Sequence, residues 1–402
     1  MKNKSNLNFT LAGIAVLMTG CNQKNENVSS EKPNFVVIMA DDVSAVDFSC
    51  YGSTEYNTPN IDKMAESGVL FNVCWSTALS MPSRVQLMTG RFPTSTGWYG
   101  NDFKPMGNDI FNIPGDPGYH LSNELMFSKL LRDNGYKTAI AGKWHVEDTP
   151  DWSTFREDYG FDEYCLWGLP DSMPPGYEDY ERVKGASGPY WDIGGRGPFW
   201  QPAIIENGNL GPTGEEDYGP DYFTSFIKKF ISENKKGPFL AYYPMTLAHS
   251  WWYSPVSEKT RWSTFGPVPE LDSLGNKTGK KTPVGHQYAV EYLDHLVGMI
   301  MNHLDSLELS KNTVIIFTTD NGSPGKGKGF LKHENGIRVP LIVHCPDKFK
   351  KGIMTNSFAQ LADIFPSIAE LAGISVPDSV ELDGVSFVPV LKNDTVRVRD
   401  KL

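Results

Sequence analysis

The sequence predicts an α/β sandwich built on a mainly parallel sheet. Short continuous apolar runs, of the kind found in strands buried on both faces, alternate along the chain with amphipathic helical segments. Acidic, basic and imidazole side chains recur just past the carboxyl ends of those runs, where sheets of this class gather their functional groups.

Phe35-Val36-Val37-Ile38-Met39-Ala40 is the first strand, and Asp41-Asp42 follow it at once. A helix over Ile61–Ser67 comes next, then Ser80-Met81-Pro82-Ser83-Arg84-Val85-Gln86-Leu87-Met88-Thr89-Gly90-Arg91. There Pro82 suits a first helical position and Gly90 a helix end, which places Ser80 just ahead of a helix N-terminus. Free N–H groups and the helix dipole favour an anion at that end, and Arg84 adds a fixed positive fork one turn on. Leu121–Asn134 is amphipathic, and Tyr136–Ala141 is a strand that leads into Gly142-Lys143-Trp144-His145.

Residues 150–213 are rich in Gly, Pro and aromatics without periodicity and read as insertion loops, as do residues 250–285. Tyr222–Asn234 is helical, and the strand Pro238–Tyr243 leads to His249. Gln287–Leu307 has apolar residues at helical spacing. Thr313–Phe317 is a strand leading to Asp320-Asn321-Gly322; Arg338–Val343 is a further strand and Gln360–Leu371 a final helix.

Hydrophobic residues make up 40% of the 402 and charged ones 21%, the balance of a globular chain. A net charge of −11 argues against nucleic acid or an anionic membrane surface as partner, so a polyanionic ligand would need a local basic pocket. Lys2 and Lys4 precede an apolar run, Leu11–Met18, that is too short to span a bilayer and reads as a signal peptide over residues 1–20. Leu17-Met18-Thr19-Gly20-Cys21 resembles a bacterial lipoprotein box, with Cys21 the lipidated residue and residues 21–32 a polar tether. The expected location is the cell envelope of a bacterium, periplasmic or on the outer membrane, with membrane contact only through that anchor. Cys50, Cys74, Cys165 and Cys345 lack metal-type spacing and are expected to be free.

The strand ends supply the candidate chemistry. Asp41, Asp42, Asp320 and Asn321 offer only hard oxygen donors, which suit Ca²⁺ or Mg²⁺ rather than Zn²⁺. Each residue has an ordinary alternative: an N-cap, a turn, a solvated lysine at Lys143, a core histidine at His249. Their recurrence at several strand ends of one chain favours a site. Trp251, Trp252 and Tyr253, just past His249, are candidates for stacking on a sugar. His120, His286, His295, His303, His333 and His344 read as structural or surface residues.

The segment Ser80-Met81-Pro82-Ser83-Arg84, with Leu87 and Thr89-Gly90-Arg91, resembles the signature of the type I sulfatases, of the alkaline phosphatase-like superfamily. The resemblance runs from about Pro33 to about Val390. It implies a three-layer α/β/α sandwich with a mixed, mainly parallel sheet over residues 33–402. It also implies that a maturase, here of the radical type, oxidises Ser80 to formylglycine.

One calcium ion held by Asp41, Asp42, Asp320, Asn321 and residue 80 is implied as well. By the same resemblance Asp320 is a candidate base, His249 protonates the leaving sugar oxygen and His145 takes the second proton. Arg84, Lys143 and a third lysine stabilise the sulfate oxygens. The family sets that lysine five residues before the Glu of a motif matched here by Glu334-Asn335-Gly336-Ile337-Arg338-Val339-Pro340. Lys328 lies six before and Lys332 two before; Lys328 is favoured, with one residue looped out.

The implied substrate is a sulfated carbohydrate. A metal-dependent phosphatase or phosphodiesterase of the same superfamily is the alternative enzyme, although no His-rich second metal site is evident. An inactive glycan-binding homologue is the alternative without turnover. Family members continue into a small C-terminal subdomain, expected here to be short or missing because the chain stops at Leu402, soon after Asp383-Gly384-Val385-Ser386.

Overall fold

The computed structural model describes residue 1 and residues 32–101, 120–146, 151–168, 198–200, 202–214, 216–249, 267–349, 351–393 and 395–399. The strands, in chain order, are β1 Asn34–Ala40, β2 Val69–Trp75, β3 Lys137–Gly142, β4 Glu163–Trp167, β5 Ile204–Glu206, β6 Asn209–Gly211, β7 Phe239–Pro244, β8 Pro269–Leu271, β9 Lys277–Lys281, β10 Thr313–Thr319, β11 Arg338–His344, β12 Ile353–Thr355 and β13 Ala359–Gln360. The helices are α1 Pro59–Glu66, α2 Ser80–Thr89, α3 Pro93–Thr96, α4 Phe127–Asp133, α5 Phe155–Tyr159, α6 Gly219–Asn234, α7 His286–Ser306, α8 Glu334–Ile337, α9 Ile364–Ala372 and α10 Val388–Lys392. No described helix is long and apolar enough to cross a membrane.

Among the described residues one sheet runs in the order β12-β2-β11-β10-β1-β7-β3-β4-β5-β6, with β13 also on β2. The centre is parallel: β1 pairs with β10 and β7, and β3 with β7 and β4. β11 runs antiparallel to both β10 and β2. The strands β1, β2, β3, β7 and β10 therefore point the same way and end at one edge.

The apolar run of β1 is continuous because both of its faces are covered. Phe35, Val37 and Met39 pack into one hydrophobic core with residues of α2, α4 and α9. Val36, Ile38 and Ala40 pack into a second core with residues of α1, α6 and α7. Two helical layers sandwich the sheet, as expected for α/β/α architecture.

Several local readings change. Gln360–Leu371 is neither one helix nor the last: Gln360 ends β13, a 3-10 turn over Leu361–Asp363 precedes α9, and α10 follows. Leu121–Asn134 is not one helix: a short 3-10 turn over Leu121–Asn123 precedes α4, which starts only at Phe127. The stretch 150–213 is not only loop, since it holds α5, β4, β5 and β6, and β4 extends the parallel sheet because Tyr164-Cys165-Leu166-Trp167 is wholly buried. Residues 250–285 include the β8–β9 hairpin.

Backbone bonds draw the strand ends together. Asp41 N–H donates to the Leu247 carbonyl at 2.8 Å, Asp320 N–H to Ala40 at 3.0 Å and Lys143 N–H to Pro244 at 2.7 Å. Gly142, at φ +125°, permits the last contact, because a Cβ there would lie 2.0 Å from the Pro244 carbonyl oxygen. Gly142→Ala should cost at least about 3 kcal/mol through strain and backbone displacement. Denaturant unfolding checks this; a wild-type midpoint would show that the approach of β3 to β7 is not tight.

Candidate active site

α2 begins at Ser80, two residues earlier than the sequence predicts, with Leu79 as its extended N-cap. Pro82 therefore sits third in the helix, which is tolerated because the first four helical N–H groups have no intrahelical partner. Met81 N–H is taken up by the Asn101 side chain at 3.0 Å. Gly90 ends the helix at φ 68° as expected. Ser80 does not cap: its hydroxyl donates to Asp320 Oδ2 at 2.5 Å and accepts from Arg84 Nε at 2.9 Å. Lys143 Nζ and His145 Nδ1 each lie 3.3 Å from the same oxygen. Ser80 is 2% exposed.

Around this hydroxyl the charges alternate. Arg84 Nη2 pairs with Asp320 Oδ2 at 2.8 Å and lies 3.6 Å from Asp41 Oδ2. Lys143 Nζ pairs with Asp41 Oδ2 at 2.7 Å, and Lys328 Nζ pairs with Asp42 Oδ2. His249 faces both neighbouring carboxylates, Nδ1 at 3.8 Å from Asp41 and Nε2 at 3.7 Å from Asp42. Asp42 and His145 hold left-handed backbone angles, φ 61° and 43°, an uncommon and strained state for residues other than glycine. Asp42 is steadied from behind, since its carbonyl accepts from His286 Nε2 at 3.3 Å and His286 Nδ1 meets the Tyr56 hydroxyl at 3.2 Å.

The donor set fits a hard cation. Asp41 Oδ1 and Asn321 Oδ1 are buried acceptors without a hydrogen bond among the described residues. Asp41, Asp42 and His249 can each point an atom into a space less than 4.8 Å across. Asn321 Nδ2 donates to Asp42 Oδ1 at 2.8 Å, so its carbonyl oxygen is left for another partner. Asp320 Oδ1 accepts from the Asp42 and Asn321 N–H groups at 3.0 and 2.8 Å. Oxygen dominates the set, as calcium or magnesium requires.

Burial, helped by the Asp320 charge, pushes the Asp41 carboxyl up to about 6 against the pull of Lys143 and Arg84. Burial also acts on Asp320, but Arg84 and Lys143 together outweigh it and hold that carboxyl below its usual range. Burial lowers the Lys143 ammonium, opposed by Asp41. Burial works against charge on Lys328 too, yet Asp42 and Asp41 raise it overall. His145 and His249 are both driven well below the usual imidazole value by burial and then by Lys143. Both rings are thus neutral at pH 7 in the free protein.

The structure brings Ser80, Arg84, Lys143, His145, His249, Lys328, Asp41, Asp42, Asp320 and Asn321 to one sheet edge. Lys332 is exposed on the surface. Trp251, Trp252 and Tyr253 lie outside the described residues, as do Cys21, the signal segment and most of the tether. The other four cysteines are free. His303 is structural, bonded to Ser232 and the Lys228 carbonyl on α6. Sequence reasoning missed the supporting roles of His286 and Asn101. The one available signal was position, since His286 opens the long helix after an insertion.

The chain belongs to the sulfatase family, whose family model matches residues 33–374. Enzymes of that family hydrolyse sulfate esters. The chain is 29% identical to N-acetylgalactosamine-6-O-sulfatase of Bacteroides thetaiotaomicron, over 97% of this chain and 83% of that one. It is 27% identical to human N-acetylgalactosamine-6-sulfatase over 90% of this chain, but spans only 66% of that enzyme's length. Among solved structures it is similar to Ps i-CgsB, with a TM-score of 0.64 and 27% identity over 90% of this chain and 76% of the other. Ps i-CgsB has also been solved in complex with k-i-k-neocarrahexaose.

The two lysines can be told apart by rate. Lys328→Ala should lower kcat/KM for a sulfate ester at least about 100-fold, as loss of a charge-stabilising donor does. Lys332→Ala should change it little. Steady-state kinetics on both variants checks this, and the reverse ranking would move the role to Lys332.

Proposed function

We propose that this chain is a calcium-dependent sulfatase that acts on sulfated glycans through a formylglycine made from Ser80. The observation that carries the reading is the Ser80 hydroxyl, held at the head of α2 between Asp320 and three cationic or imidazole groups. The glycan class is supported by relatives named for N-acetylgalactosamine 6-sulfate and by a neighbour solved with a carrageenan-type oligosaccharide. Lipidation at Cys21 and an envelope location belong to the same proposal and rest on the sequence.

Three cations, Arg84, Lys143 and Lys328, face three carboxylates, Asp41, Asp42 and Asp320, so the cluster is close to neutral. A calcium ion held by Asp41, Asp42, Asp320 and Asn321 would supply the excess positive charge that a sulfate group needs. Oxidation to formylglycine would supply a residue able to release sulfate by elimination, which a serine sulfate ester cannot do.

The rest falls to the chain's own side chains. Arg84, Lys143 and Lys328 hold the sulfate oxygens and take up charge as the ester bond breaks. Addition of one water to the aldehyde at position 80 would give two hydroxyls. Asp320, hydrogen-bonded to the serine oxygen at that place, accepts the proton of the first as its oxygen bonds to sulfur and the bond from sulfur to the sugar oxygen breaks. His249 is neutral in the free protein, but a bound anion raises the proton affinity of its ring. It can then carry a proton to the leaving sugar oxygen. His145 Nδ1, 3.3 Å from the residue 80 oxygen, is placed to take the proton of the second hydroxyl, so that sulfate leaves and the aldehyde reforms.

Peptide mass spectrometry tests the proposal. Protein made with a radical maturase should carry a Ser80 peptide lighter by two hydrogens and should hydrolyse sulfate esters far faster than phosphate esters. Unmodified Ser80 with full turnover would overturn it. Chelation should remove activity and added calcium restore it, while Asp41→Ala should lose at least about three orders of magnitude in rate yet keep a wild-type circular dichroism spectrum. Full activity after chelation, with stoichiometric zinc present, would refute the calcium assignment.

A further inference from the structure

A second buried cluster lies next to the site and takes no part in the chemistry above. Asp47 is fully buried, five residues past Asp42. Its Oδ2 accepts from the Ser323 hydroxyl and, at 3.2 Å, from Ser44 N–H. Its Oδ1 accepts from Lys326 Nζ at 2.5 Å. Ser44 and Ser323 also bond each other reciprocally: Ser44 N–H donates to Ser323 Oγ at 2.9 Å and Ser323 N–H to Ser44 Oγ at 2.8 Å. Ser44 Oγ then donates to the Asn335 carbonyl at 2.7 Å.

These bonds join two loops that are 276 residues apart or more in sequence. One loop follows β1 and carries Asp41 and Asp42. The other follows β10 and carries Asp320, Asn321 and Lys328. Ser44 is two residues past Asp42, and Ser323 two past Asn321. The second loop winds back through Gly325, Gly327 and Gly329, all with left-handed φ, at 77°, 126° and 82°. The intervening lysines take different partners: Lys326 reaches Asp47 and Lys328 reaches Asp42. Lys326 also lies over the ring of Tyr56, whose hydroxyl meets His286.

We infer that Asp47 is a positioning residue that clasps the two cation-binding loops together and thereby sets the affinity of the site for calcium. The inference rests on the calcium-dependent reading above. A rigid pair of loops keeps the Asp41, Asp42 and Asn321 oxygens at a fixed spacing, and outer-shell partners of this kind typically contribute 10- to 100-fold in metal affinity or activity. An amide at position 47 would keep the volume but lose the charge that holds Lys326 and would compete for the Ser323 hydroxyl.

Isothermal titration of chelator-stripped protein with calcium tests it, on wild type, Asp47→Asn, Ser323→Ala and Lys326→Gln. Asp47→Asn should bind calcium at least about 10-fold more weakly, and its sulfatase activity should be recovered by raising calcium. Ser323→Ala and Lys326→Gln should shift affinity in the same direction by less. Melting in chelator should fall by only a few degrees. If Asp47→Asn does not fold, Ser323→Ala carries the same test. Calcium affinity equal to wild type in the folded variants, or activity that calcium cannot recover, overturns the inference while leaving the calcium reading intact. Wild-type protein that binds no calcium overturns both.

Discussion

Asp41, Asp320, Arg84 and Lys143 are all at or below 2% exposure, and they can be charged there only because each faces an opposite charge. An unpaired ion in such a place would cost several kcal/mol, so each partner is a condition for the others. That mutual requirement fixes the geometry of the whole sheet edge. Arg84 reaches Asp320 from α2, and Lys143 reaches Asp41 from the end of β3. The strands must therefore end level with one another, and the parallel registers of β1 with β10 and β7 make them do so.

The same pairing explains why burial acts so unequally on like groups. Asp320 receives Arg84, Ser80 and two backbone N–H groups and stays ionised with ease. Asp41 shares its partners, keeps one oxygen without a hydrogen bond among the described residues and is correspondingly strained as an anion. A carboxylate held this way gains most from any further positive charge brought to its free oxygen. The two carboxylates each sit one residue past the end of neighbouring strands, β1 and β10, so this asymmetry is produced by what surrounds them.

Much of this could be read from the chain, and the exceptions have physical causes. β1, β7 and β10 were legible because both faces are buried, which leaves an unbroken apolar run. β2 is not legible in the same way: Asn72 interrupts its apolar run and instead accepts hydrogen bonds from Arg338 on β11. β4 is only five residues long, and its place in the sheet comes from β3. The start of α2 shifted because Ser80 finds its partner on β10's following loop and not in the helix turn. The site residues clustered at strand ends could be proposed from sequence, since each follows an apolar run directly. The Ser44, Asp47 and Ser323 network could not, because nothing in either loop announces a partner so far away in the chain.

The burial of α2 has a temporal meaning. Every residue from Ser80 to Thr89 is covered, the helix is walled by α9, α4 and the 3-10 turn over Leu361–Asp363, and Ser80 itself is 2% exposed. Another enzyme's active site could not close around that serine in the finished protein. Any enzymatic alteration of Ser80 must therefore be made while the segment is still an extended, accessible peptide, in a race against the collapse of the surrounding core. Whatever slows that collapse lengthens the interval, and a chain that folds first keeps its serine for good.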